Sequence, residues 1–60
     1  MTFEEAEIGD QVFLMEHGHR IQGEIIAKDE TIRKVMIEWD DRDDKGSWMS
    51  EEEFSKVTKT

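Results

Sequence analysis

Cysteine, proline and tyrosine are absent from the 60 residues, and no hydrophobic run approaches the length of a bilayer span. Without cysteine there is no disulfide framework and no thiolate metal site, the usual reinforcements of a small secreted scaffold, so a reducing cytoplasmic setting is expected. A transmembrane helix needs about 18 or more consecutive apolar residues, and Met1 to Asp10 lacks the basic start and apolar middle of a secretory leader. No membrane contact is expected on those grounds. With no proline, low-complexity stretch or internal repeat there is no linker to cut at, and residues 1–60 read as a single domain. Basic residues are also scarce: 8 Lys and Arg stand against 16 Asp and Glu, a formal net charge of −8. Such a surface repels phosphate backbones, so direct nucleic-acid binding is not expected, and the partner class that charge favours is a basic protein or peptide. The excess is spread along the chain, with eight acids against two bases in residues 1–30 and eight against six in residues 31–60. It belongs to the domain surface and not to a detachable acidic tail.

Hydrophobic residues make up 35% of the chain. Ordering a chain of this length costs on the order of 90 kcal/mol at about 1.5 kcal/mol per residue, so nearly every apolar side chain is needed in the core. Thr2, with Glu5 three residues on, caps a short acidic turn over Phe3 to Ala6, and Ile8-Gly9-Asp10 releases the chain from it. Gln11 to Glu16 reads as a strand with Val12 and Leu14 on one face and Phe13 and Met15 on the other, ending in the turn His17-Gly18-His19. Arg20 to Lys28 forms the second arm of this hairpin, with Ile21, Gly23, Ile25 and Ala27 in one phase and Gly23 marking a bend or bulge. Val35, Ile37 and Trp39 alternate with Met36 and Glu38 in a third strand whose buried side includes Trp39. A polar loop, Asp40 to Gly46, leads into the short strand Ser47-Trp48-Met49. Ser50 and Glu53 then have the spacing of a capping box for one helical turn, Glu51 to Phe54, and Lys56-Val57-Thr58 closes the chain as a last strand.

Ile8-Gly9-Asp10-Gln11-Val12, Gly23-Glu24-Ile25 and Val35-Met36-Ile37-Glu38-Trp39, in this order of elements, resemble an SH3-like small barrel of the Tudor or KOW kind. The resemblance covers nearly the whole chain. It implies a mainly β, single five-stranded SH3-like barrel with a short N-terminal turn and one helical turn before the last strand. It also implies a binding module without enzymatic activity and without a cofactor. KOW-type relatives attach to RNA or to the transcription and translation machinery through basic surface, and Tudor-type relatives read methylated lysine or arginine in an aromatic cage. This chain has no basic surface, and its aromatics at the strand ends are Trp39 and Trp48 alone.

Trp48 stands beside the charged loop on a strand of about three residues, which leaves its ring open to a peptide or a cation. If Trp39 shares that groove, Asp40, Asp41, Asp43 and Asp44 line its rim with negative charge and select a ligand bearing lysine or arginine. These six residues are the candidate partner-binding set, and an acidic decoy for a nucleic-acid-binding surface is the alternative that the spread of charge offers. Asp41-x-Asp43-x-Lys45-Gly46 with Glu52 six residues on also approaches the twelve-residue calcium loop. Ile32, Val35, Met36 and Trp39 have the spacing of an entering helix for it, but Lys45 places a cation at a ligand position. His17 and His19 are two ligands short of a closed zinc site. Ser47, Ser50 and Ser55 have no nucleophile elbow or paired base, so no catalytic residue is expected.

Overall fold

The computed structural model of the chain describes residues 1–41 and 46–60. Five antiparallel strands form one sheet: β1 (Gln11–Glu16), β2 (His19–Asp29), β3 (Lys34–Trp39), β4 (Ser47–Ser50) and β5 (Thr58–Lys59), in the spatial order β4-β3-β2-β1-β5. A single helical turn, α1 (Glu51–Phe54), joins β4 to the last strand. The β1–β2 hairpin turns through His17 and Gly18, whose φ values of 51° and 79° supply the two positive dihedrals that a two-residue I′ turn requires. His19 is therefore the first residue of β2, paired with Glu16, and not part of the turn.

The inner face of the sheet carries Val12, Ile25, Val35, Ile37 and Trp39, all buried, in the phase that alternation gives β1 and β3. Phe3 and Ala6 from the N-terminal turn, and Phe54 and Val57 from the α1 segment, complete the core. The N-terminal turn is held as its sequence demands: Thr2 N and Thr2 Oγ1 donate to Glu5 Oε1 at 2.8 and 3.0 Å. The terminal ammonium of Met1 donates to the carbonyls of Ser55 and Val57 at 3.0 and 2.9 Å, which ties the two ends of the chain together.

Two expectations are corrected here. The first concerns β2, where the bend falls at Ile26 and not at Gly23. Ile25 pairs with Ile37 and Ala27 with Met36, so Ile26 is the extra residue of a β-bulge. One extra residue inverts the phase of everything beyond it. Ala27 thus joins Met36 on the outer face, whereas Lys28 comes opposite the buried Val35 and reaches inward, its Nζ 2.7 Å from the Ala6 carbonyl and 4.4 Å from the centroid of the Phe3 ring. Gly23 serves a different purpose: a Cβ there would lie 2.8 Å from both the Glu38 carbonyl and the Trp39 ring.

The second correction concerns closure, because the sheet is not a closed barrel. β4 and β5 are its two edges, and no ladder joins them among the described residues. Strands of four and two residues offer too little ladder to close a sheet, and the chain crosses from one edge to the other through α1 instead. Phe54 and Val57, on the segment that makes this crossing, are both fully buried in the core.

Candidate protein-interaction face

The outer face of the sheet is built from residues out of phase with the core. Trp48 on β4 lies opposite Met36 on β3, which in turn lies opposite Ala27 on β2, so these three form one row across the sheet. The next row holds Glu38 of β3 opposite Glu24 of β2, with Gln11 of β1 beyond. Trp48 is 42% exposed, a large fraction for the most apolar surface a side chain offers. Cations already lie over two other rings, Arg20 at 3.9 Å from the Phe13 centroid and Arg33 at 4.7 Å from that of Phe3. None lies over Trp48 among the described residues.

Trp39 does not share this face. It is 3% exposed and in phase with Val35 and Ile37, so the two tryptophans sit on opposite sides of the sheet and no single groove holds both rings. The edge of Trp39 instead lines a small cleft of about 250 Å³ beside β4, with Leu14, Ser47, Met49, Glu53 and Lys56. Asp40 and Asp41 are exposed at the end of β3, where the Asp40 amide donates to the Gln22 carbonyl at 2.8 Å. Both line an open cleft of about 580 Å³ under the hairpin tip, together with Glu16, His17, His19 and Arg20. Asp43 and Asp44 lie outside the described residues, as does Lys45.

The remaining charges separate into those the fold uses and those it does not. Arg33 donates to Glu51 at 2.7 Å and to Glu4 at 2.8 Å, which holds both carboxyls below the usual glutamate range and pushes the guanidinium up. Lys59 sits 3.0 Å from Asp10, and hydrogen bonding to that carboxylate raises its ammonium. Hydrogen bonds from the Ser50 amide and hydroxyl, each 3.1 Å, lower the Glu53 carboxyl. Glu38 has no such partner among the described residues, and Glu24 accepts only a 3.4 Å bond from the Gln11 amide. Like charges directly opposite in a sheet destabilise it, and among the described residues no cation is paired with either carboxylate. Alternation marks Met36 and Glu38 as outward-facing, but nothing in the local sequence sets Glu24 opposite Glu38, and that juxtaposition was not foreseen.

The calcium-loop reading also meets the geometry. Its entering segment is a strand, since Lys34–Trp39 is β3, and Ser47–Ser50 in the middle of the loop pairs with it, so the helix–loop–helix frame of an EF-hand is not formed. Among the described residues no three His, Asp or Glu side chains gather as a metal-holding group, and no helix is long and apolar enough to cross a membrane. No protein-family model, no curated protein and no solved structure matches this chain.

Proposed function

We propose that this chain is a non-enzymatic protein-interaction module of the SH3-like kind that binds a basic segment of a larger protein through Trp48 and the acids around it. The observation that carries the reading is the exposed Trp48 ring, with no cation over it among the described residues, on the same sheet face as Glu24 and Glu38, which lie directly opposite each other. An exposed ring beside negative charge attracts a lysine or arginine side chain by cation–π and Coulomb terms together. Asp40 and Asp41 add negative charge at the end of β3, and Asp43 and Asp44, outside the described residues, belong to the same candidate set. Trp39 enters as core support and not as a contact. The SH3-like assignment is favoured by the β1–β2 hairpin, the five-strand order and the helical turn before the last strand.

The test is titration with an oligolysine peptide, read by tryptophan fluorescence. Binding is expected to weaken as salt rises from about 20 to about 300 mM, because the Debye length shrinks across that range, and Trp48→Ala is expected to abolish the fluorescence response. Affinity constant across that salt range, or unaltered in Trp48→Ala, would overturn the proposal.

A second reading is supported by the spread of the 16 acids along the whole chain: an acidic decoy that occupies a basic, nucleic-acid-binding surface of its target. There the charge of the whole surface matters, and neutralising Asp41, Asp43 and Asp44 together, or removing Trp48, changes binding little. Under the first reading either change causes a large loss.

A further inference from the structure

We infer that the basic segment docks as a sixth strand, adding to the free edge of β4; this rests on the interaction reading above and specifies how that partner is held. The two edges of the sheet differ sharply. β5 is two residues long, and its Lys59 is pinned to Asp10 and to the Glu5 carbonyl, while Thr60 N donates to Gln11 O at 3.0 Å just beyond it. Short strands and lysines are the devices that keep edges from pairing with other chains. β4, Ser47-Trp48-Met49-Ser50, has four residues, no charge and no proline, and is paired only with β3 among the described residues. Among the described residues no further strand pairs along that edge, and at its end the Ser50 amide already donates to Glu53 Oε1 at 3.1 Å, so an added strand pairs over residues 47–49.

The side chains next to that edge suit an added strand. Alternation along β4 places Trp48 outward and Ser47 and Met49 inward. On the inner side the seam between β4 and α1 leaves the 250 Å³ cleft lined by Leu14, Trp39, Ser47, Met49, Glu53 and Lys56. A strand laid along β4 sets one side chain against the Trp48 ring and the next over this cleft, so backbone pairing supplies affinity and the two flanking surfaces supply selectivity.

Charge decides between occupants. A second copy would bring −8 to −8, so net repulsion opposes that occupant. An extended segment that alternates basic with aliphatic residues meets the acids with its cations and the cleft with its aliphatic side chains.

The experiment uses the whole chain, isotope-labelled, with a decapeptide of alternating lysine and valine, and the same peptide N-methylated at every second residue. N-methylation keeps charge and side chains but blocks strand pairing. The expected result is slowed amide exchange within residues 47–49 on adding the unmodified peptide, and binding of the methylated peptide weaker by about tenfold or more, the loss of one or two net hydrogen bonds. Trp48→Lys, which changes an exposed side chain and places a cation on the edge, is expected to abolish binding of the unmodified peptide while leaving the protein's own spectrum dispersed. If both peptides bind equally and shift Trp48, strand addition is overturned and the basic-partner reading survives. If neither binds, both are overturned. Sedimentation showing a dimer of the protein alone at low salt would make a second copy the occupant and overturn the inference.

Discussion

A methyl group at position 23 would have no room. The nearest atoms to a Cβ there are the Glu38 carbonyl oxygen and the Trp39 ring, each at 2.8 Å, with an Ile37 methyl at 3.0 Å, and the first of these is backbone that cannot swing aside. Glycine leaves the space that the Trp39 ring and the Glu38 carbonyl occupy beside β2. Gly23→Ala is therefore expected to cost about 1–3 kcal/mol, the range for forcing extra volume into a packed site. For a domain of this size that lowers the melting temperature by about 4–20 °C, measured by circular dichroism; an unchanged melting temperature would show that the ring moves freely. In the sequence Gly23 reads as a bend, and in the structure it is a close approach. Glycine's lack of a side chain serves bends and close approaches alike, and the sequence around Gly23 does not distinguish them, because the indole that needs the space is sixteen residues away.

At the scale of elements, α1 is four residues long and far too short to be stable by itself, so its formation depends on its cap and on Phe54, which is fully buried. The cap titrates. Hydrogen bonds from Ser50 hold the folded Glu53 carboxyl below its ordinary value of 4.5, so the charged carboxylate binds better in the folded state than in the unfolded one. A depressed folded pKa contributes stability that is present in full above the unfolded value and is lost as pH falls through the folded one. The gap in urea midpoint between the parent protein and Glu53→Ala is accordingly expected to be widest near neutral pH and to narrow below about pH 4.5; a gap that stays constant down to pH 3 would rule out the charged cap. The bounds of α1 and β1 were legible because each depends on neighbours within a few residues: Ser50 with Glu53, and period-two alternation from Gln11 to Glu16. The last strand was not, since Val57 leaves the ladder for the core seam and only Thr58 and Lys59 pair with β1.

For the whole molecule, the net charge of −8 sets a self-repulsion that a few exposed ion pairs do not offset. The Arg33 and Lys59 pairs lie at the surface, where such contacts contribute little and salt weakens them. Screening of the broad repulsion is the larger effect, so the melting temperature is expected to rise as sodium chloride increases from about 10 to about 300 mM. A fall over that range would mean that the Arg33 and Lys59 contacts outweigh the repulsion.

The sequence by itself determined the mainly β architecture, the two caps, the hairpin and the burial of Val35, Ile37 and Trp39, because periodicity and capping are written in residues close together along the chain. Tertiary structure decided the rest. A bulge at Ile26 reversed the phase of Ala27 and Lys28, register brought Glu24 opposite Glu38, and β4 came to lie with Trp48 facing away from Trp39. Pairing between strands joins residues distant in sequence, and a shift of one residue exchanges the two faces of a strand. For the same reason only the assembled sheet shows that β4 and β5 are its two edges.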